Sequence, residues 1–519
     1  MNAQRNPARG ASGWIGAGVV GLTLGLAPVG CGGDEGGGDA PGPDAIVGLD
    51  VPPATDSAEG GGEDVPDPVA PAVPRIDQAL ACGVDGNVGG LSGSQSPQAL
   101  ERKTLDTTRF PDALCNDGSD AVVYVRPATR PEDADKWVLE LMGGGACNTM
   151  QACANRWCSV DTNFSRTQMT SATAPPRTEG DGILLRPDQG SGGGASAVDN
   201  PFASWNHVLL KYCSSDTWRG TARDVTVESD HPRSGEPVTF RMHFLGRRIL
   251  EAAVATLRRD GVDGLSWGPD ATPMPDLDDA TEVVFAGASA GGGGVTFNLD
   301  WLSETLRAAN PGVDVTGLID STFGPDLIGL DFAKSAYCQE LRTCTAEAFL
   351  GRGRIAQETL WKAAPEASCE ASHAASGGGW KCASDTFVML NHLTTPFFVR
   401  QGLADGLISE VYVKGGLQHA GEAIDLRVFG ELVRASLETF PQLPQTAIEG
   451  ASIATAPGAY GPACPKHETL RSTRDTFDVT IDVGGDALRM FDVWRRWRDG
   501  GSPQVAVTRT RVDTTCPGE

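Results

Sequence analysis

The sequence predicts an α/β fold of the α/β-hydrolase kind, a mostly parallel sheet with helices on both faces, stabilised by disulfides. Three observations predict it. Apolar runs alternate with segments of helical spacing, the pattern of a parallel sheet covered on both sides. A Gly-x-Ser-x-Gly motif, Gly287-Ala288-Ser289-Ala290-Gly291, joins one such run to one such segment. Thirteen cysteines accompany an amino end built like an export signal.

In chain order, Arg5 and Arg9 precede an apolar stretch from Trp14 to Val29 that is short for a membrane span. Cys31 follows, at the place of the lipid-modified cysteine of a bacterial lipoprotein, although Pro28 stands where a larger aliphatic is usual. An ordinary secretory signal cut nearby is the plainer reading, and both take the protein out of the cytoplasm. Residues 1–31 are thus an export signal of lipoprotein type. Residues 32–74 hold ten acidic side chains, no Lys or Arg and few large apolar residues. Such a segment buries too little surface to fold, which predicts a disordered tether. Residues 75–519 are expected to form a single catalytic domain.

Buried strands are expected at Ala121–Val125, Trp137–Leu141, His207–Tyr212, Glu282–Ala286, Val315–Ile319 and Pro396–Gln401. Helical patterns lie between them at Phe244–Leu257, Asn298–Ala308, Thr345–Leu360 and Ile424–Phe440. Without Cys31, twelve cysteines remain, an even number suited to a disulfide framework whose pairing the sequence leaves open. Cys147, Cys153 and Cys158 crowd one loop, but no CxxC pair or neighbouring histidine makes a zinc site of them. The net charge of −25 excludes a basic nucleic-acid face and disfavours binding of polyanions.

Open parallel sheets place chemistry at the carboxyl ends of their strands. Four such ends carry candidates. Glycines around Ser289 suit the sharp turn of a nucleophile elbow; the plainer alternative is a tightly packed helix start with Ser289 as its cap. Met142-Gly143-Gly144-Gly145-Ala146-Cys147 ends the Trp137–Leu141 strand, where an oxyanion loop belongs, with donors expected from the backbone of Gly145 or Ala146 and of Ala290. Asp405 follows the Pro396–Gln401 strand and suits a triad acid in the chain order Ser, Asp, His; Asp320, ending Val315–Ile319, is its rival. Of the two histidines beyond Asp405, His419 sits in an ordinary loop sequence, whereas His467 lies near one cysteine and two prolines that can hold it in place.

Taken together, these segments resemble the pectin acetylesterase/Notum carboxylesterase family from about Trp137 to Thr469. Leu139–Cys147 is similar to its Tyr-Leu-Glu-Gly-Gly-Gly-Trp-Cys segment. Asn200–Cys213 is similar to its Asn-Pro…Trp-Asn…Tyr-Cys segment, and Arg241–Ile249 to its Phe-Arg-Gly-x-Arg-Ile entry. Gly287–Gly292 matches its Ser-Ala-Gly-Gly elbow, Asp320–Phe323 its Asp-Ala/Ser-Gly-Phe, and Ala463–His467 its Ser-Cys-x-x-His. Carried over, the resemblance implies Ser289 as nucleophile, His467 as base and Asp405 as its orienting acid, with Asp320 in a supporting place. Met142 replaces the family's Glu and Ala146 its Trp, which spares the backbone donors but changes the side chains near the ester.

The resemblance implies an exported serine esterase needing no metal or organic cofactor. Its expected partner is an acetylated polysaccharide or another acyl ester. Nucleic acid is excluded, membrane contact would come only through a lipid on Cys31, and a monomer is the default. Two alternatives stand beside deacetylation: removal of longer acyl chains, as in the Notum branch, and a non-catalytic glycan-binding lipoprotein on the same fold.

Overall fold

The computed structural model describes residues 72–82, 91–160, 165–186, 199–258, 265–342, 344–446, 453, 455–509 and 516. The export signal, Cys31 and the tether up to residue 71 lie outside these residues.

Ten strands form one sheet: β1 (Leu100–Thr104), β2 (Val122–Arg126), β3 (Lys136–Leu141), β4 (Arg177–Thr178), β5 (Asn206–Leu210), β6 (Glu282–Ala288), β7 (Asp314–Asp320), β8 (Phe397–Arg400), β9 (Gly458–Gly461) and β10 (Val505–Val507). Their spatial order is β10-β9-β8-β7-β6-β3-β5-β2-β1-β4. Pairing is parallel from β5 through β3 to β10, whereas β2, β1 and β4 add an antiparallel edge. All six expected strands are present, within two residues at each end.

Both faces of the parallel part are covered, which is why its strands read as continuous apolar runs. Successive side chains alternate between two cores. On β6, Val283 and Phe285 join one core; Val284 and Ala286 join the other. The first core also contains Ile249 and Val254 of α2 (Gly246–Leu257), Leu299 and Leu302 of α3 (Ala290–Ala309), and Val433 and Leu437 of α7 (Leu426–Glu438). The second contains Trp494 and Trp497 of α8 (Met490–Arg498), packed edge-on against Phe398 and its neighbours. The remaining helices used below are α1 (Met150–Trp157), α4 (Ala346–Ala356), α5 (Asp385–Asn391) and α6 (Ile408–Val413).

Two helices differ from expectation. α3 begins at Ala290, eight residues earlier than its apolar spacing indicates, and takes four consecutive glycines into its first turns. Glycine is a poor helix former, but here packing overrides propensity. A Cβ on Gly291 would collide with the Leu141 carbonyl, and one on Gly294 would lie 2.7 Å from the Trp218 ring. α4 ends at Ala356, and the chain continues through a π-turn over Gln357–Trp361.

The twelve described cysteines form six disulfides: Cys82–Cys158, Cys115–Cys213, Cys147–Cys153, Cys338–Cys344, Cys369–Cys382 and Cys464–Cys516. Two of them brace loops at the carboxyl edge of the sheet. Cys147–Cys153 ties the glycine loop after β3 to α1, and Cys464–Cys516 ties the His467 loop to the carboxyl-terminal segment.

Candidate active site

β6 delivers Ser289 into a turn with φ 55° and ψ −124°, a conformation costly for any residue with a Cβ. The turn is held from three sides. Ser289 N–H donates to the Asp320 carbonyl of β7 at 2.9 Å, its carbonyl accepts from Thr322 Oγ1 at 2.9 Å, and Gly293 N–H donates to it at 3.0 Å. A Cβ on Gly287 would collide with the Gly291 carbonyl, so the glycine before the serine lets the strand and helix close so tightly. Strain is not confined to Ser289. Ser215, Thr217 and Trp218 beyond β5, Ser321 beyond β7 and Glu468 beside His467 also have positive φ. They gather along the carboxyl edge of the sheet, and backbone strain of this kind clusters at functional sites.

The loop after β3 turns through Gly144 at φ 135° and Gly145 at φ 62°, values that require glycine. Its carbonyls are occupied by side chains. Trp218 Nε1 donates to the Met142 carbonyl at 3.0 Å, Arg156 to that of Gly144 at 2.5 Å, and Trp361 Nε1 to that of Cys147 at 2.9 Å. Among the described residues, the N–H groups of Gly145 and Ala146 enter no backbone hydrogen bond. Ala290 N–H opens the first turn of α3, where an N–H has no partner within the helix. Three backbone donors are therefore left without a backbone acceptor at the ends of β3 and β6.

Asp405 and His467 are brought together by two loops joined through their backbones. Leu403, Ala404 and Gly406 N–H donate to the carbonyls of Pro462, Cys464 and Pro465 at 2.8, 3.3 and 3.1 Å. His467 Nδ1 then lies 3.0 Å from both Asp405 oxygens. Asp405 is fully buried, and Leu407 N–H, Ile408 N–H and Gln401 Nε2 also donate to it. Burial alone would raise its pKa, but the His467 charge and these donors outweigh it and hold the carboxyl below its ordinary 3.8. Burial alone would lower the pKa of His467, but the charge and hydrogen bond of Asp405, with Glu468 and Asp320 behind them, raise it above 6.5. His467 Nε2 is buried and has no hydrogen-bond partner among the described residues.

Asp320 does not reach the imidazole through any hydrogen bond. One of its oxygens accepts from Thr469 N–H, Thr469 Oγ1 and Leu470 N–H at 2.6, 3.1 and 3.1 Å; the other faces Ser321 Oγ and Arg400. It clamps the backbone just after His467. His419 is exposed on a small hairpin. Cys369, His373 and His392 also converge, but the Cys369 sulfur is taken by its disulfide and the two imidazoles face each other at 3.2 Å.

A cavity of about 130 Å³ opens on Ser289 and Ala290. Leu327, Leu350, Ile408 and Val411 line it together with Asn148, Arg219, Gln357 and Asp385. Sequence reasoning missed these polar residues. Arg219 lies in the loop beyond β5, so the rule about strand ends could have flagged it. Asp385 follows no strand and left no signal.

A family model described as Pectinacetylesterase matches residues 94–499. Relatives include the palmitoleoyl-protein carboxylesterase notum1 of Xenopus laevis, 26% identical over 456 residues that cover 86% of this chain and 78% of that protein. The human palmitoleoyl-protein carboxylesterase NOTUM is 25% identical over 390 residues, 74% of this chain and 64% of that protein. In fold, the chain is similar to the Wnt deacylase Notum from Drosophila, with a TM-score of 0.54 at 24% identity over 80% of this chain and 97% of the solved one.

Proposed function

The chain belongs to the pectinacetylesterase family, and on that premise we propose that it removes O-acetyl groups from polysaccharide through Ser289, His467 and Asp405. Membership makes it a carboxylic ester hydrolase. The observation that carries the residue roles is the His467–Asp405 pair at 3.0 Å, its far nitrogen buried and unpartnered, at the same sheet edge as a strained Ser289.

In the first step His467 takes the Ser289 proton as the serine oxygen attacks the ester carbonyl. The N–H groups of Gly145, Ala146 and Ala290 stabilise the oxyanion, while Asp405 holds the tautomer and supports the imidazolium. The alcohol leaves with the proton from His467. Water then attacks the acyl-serine with His467 again as base. Every proton moves between Ser289, His467, water and the leaving group, so the steps balance without a further reactant.

Cavity size supports a short acyl group. An engineered cavity of roughly 150 Å³ takes benzene, a six-carbon ligand. At about 130 Å³, the space beside Ser289 suits an acetyl or butyryl group and is small for a chain of sixteen carbons. The longer-chain reading rests on the activity named for the Notum relatives and on the apolar lining residues Leu327, Leu350, Ile408 and Val411. Export is supported by six disulfides, which persist in oxidising compartments, and attachment through a lipid on Cys31 belongs to the same proposal.

The test is hydrolysis of p-nitrophenyl acetate, butyrate, octanoate and palmitate by the wild type and by Ser289→Ala. Activity that requires Ser289 and falls with chain length is expected. A Ser289-dependent optimum at octanoate or palmitate would replace deacetylation with long-chain deacylation. Equal rates from two folded proteins would leave only a glycan-binding role.

A further inference from the structure

The lining of the Ser289 cavity includes three polar groups that the ester mechanism does not use. Arg219 is 6% exposed, its guanidinium lies 3.4 Å from the centre of the Phe297 ring, and its Nε is buried without a partner. Asn148 Oδ1 is likewise buried and unpartnered. Asp385 stands beside the first turn of α3, its Oδ1 3.6 Å from where a Cβ on Gly293 would lie. Among the described residues, the side chains of Arg219 and Asp385 make no hydrogen bond or ion pair, although both line the cavity. Burial lowers the Arg219 pKa to about 10 and raises that of Asp385 to about 6, each opposed by the other's charge.

The Arg219 guanidinium and the Asp385 carboxyl line the cavity without a hydrogen-bond partner among the described residues, and groups of this kind are costly to shield from water unless something in the cavity satisfies them. An alkyl chain pressed against these groups would expel water and satisfy none of them. A carboxylate would suit Arg219 but be repelled by Asp385. A hydroxyl group both accepts and donates, so it can take a hydrogen bond from the guanidinium and give one to the carboxylate or to Asn148.

We propose that Asn148, Arg219 and Asp385 form a hydroxyl-recognising subsite in the Ser289 cavity, selecting esters that carry a hydroxyl-bearing chain such as a sugar. The subsite deepens the esterase reading and rests on it. The hydroxyl can come from the alcohol half of the ester or from its acyl half. Gly293 is about one turn along α3 from Ser289, and Asp385 beside it lines the same cavity as the nucleophile. A group held there is therefore close to the scissile bond.

The test compares two matched pairs of esters. On the alcohol side, 6-O-acetylglucose is compared with cyclohexylmethyl acetate. On the acyl side, p-nitrophenyl 3-hydroxybutyrate is compared with p-nitrophenyl butyrate. The wild type should favour the hydroxylated member of one pair in kcat/KM, and that pair identifies which half enters. Arg219→Met, which keeps a stem over Phe297, and Asp385→Leu should each reduce the preference about ten- to a hundredfold, the size of a lost hydrogen bond to a charged group. Asp385→Asn, which keeps an acceptor, should restore part of it. Each variant's Tm is measured, so that one that fails to fold is set aside and the others decide.

No preference in either pair, or a preference that survives every folded variant, overturns the subsite. A calorimetric titration of Ser289→Ala with 6-O-acetylglucose and with 3-hydroxybutyrate, with and without Arg219→Met, separates this failure from failure of the esterase reading. It needs no turnover. Weaker binding of either ligand on Arg219→Met upholds the subsite even if Ser289 proves non-catalytic, and unchanged binding of both overturns it.

Discussion

Asp320 and Asp405 lie at the carboxyl ends of neighbouring parallel strands, are equally buried, and differ in what surrounds them. Around Asp320 the donors are the backbone N–H and hydroxyl of Thr469, the Leu470 N–H and the Ser321 hydroxyl, together with the Arg400 guanidinium. Around Asp405, two backbone N–H groups and one amide leave a face of the carboxylate for His467. One acid holds the loop in place; the other addresses the imidazole on that loop. Position at a strand end therefore does not distinguish the two acids, whereas the donors gathered around each of them do.

Asp405→Asn should produce the largest effect. Amide for carboxylate keeps the shape but presents the wrong hydrogen-bonding group to Nδ1, and kcat should fall about 10³- to 10⁴-fold with little change in Tm. Steady-state rates on p-nitrophenyl acetate check this. A fall of less than tenfold would remove Asp405 from the triad and reopen the choice between the two acids.

Asp320→Asn should invert the pattern. It leaves the buried Arg400 without its counter-charge, and breaking one side of a buried pair costs about 3–5 kcal/mol. Urea denaturation should show that loss, while kcat per folded molecule falls far less than for Asp405→Asn. Equal losses of kcat in the two variants would mean that the loop clamp and the triad act as one unit.

The parallel centre and the elbow were legible because their signals are local. Apolar runs mark doubly covered strands, and glycines at fixed offsets mark turns that only glycine can make. The residues alone left Asp320 and Asp405 as rivals, and the expectation of Asp405 beside His467 came from the family resemblance. Three kinds of feature were not legible. β9 reads Gly-Ala-Tyr-Gly and carries no apolar run, yet it pairs with β8 because Gly458 fits under Phe398 and Trp497, and Gly461 against Val507 and Leu437. The start of α3 was hidden because four glycines oppose helix formation until β3 and Trp218 pack on them. The functions of Asp320 and of Arg219 depend on groups about 150 residues away in the chain, and no local pattern records such a meeting.

A third acid sharpens the comparison. Glu140 on β3 is buried with the Arg471 Nε 3.6 Å from one oxygen and no partner on the other. With so few donors, burial dominates and raises its pKa to about 8. Between about pH 4.5 and pH 8 the folded chain keeps a proton that the unfolded chain has lost, so this group removes stability as pH rises through that window. Glu140→Gln abolishes the titration. Its stability relative to wild type, from urea denaturation at pH 5, 6.5 and 8, should grow by about 1 kcal/mol per pH unit. Parallel curves would show that Arg471 keeps Glu140 ionised.

The smallest effect is the most direct reading of the Asp405–His467 pair. Desolvation pulls His467 down, and the neighbouring carboxylates, Asp405 first, pull it up. The base is active only when neutral, so the acid limb of kcat/KM should lie above pH 6.5. Removing the Asp405 charge leaves desolvation with only the weaker pull of Glu468 and Asp320 against it. The titration of the His467 ring, followed by proton NMR in Ser289→Ala, should therefore move to lower pH when Asp405→Asn is added. The same substitution at Asp320 should move it less, because that charge acts more weakly on the ring than the Asp405 charge does and makes no hydrogen bond to it. Equal shifts from the two substitutions would mean that His467 responds to the summed negative field of the strand ends, and the division of labour between the two acids would then hold for geometry but not for electrostatics.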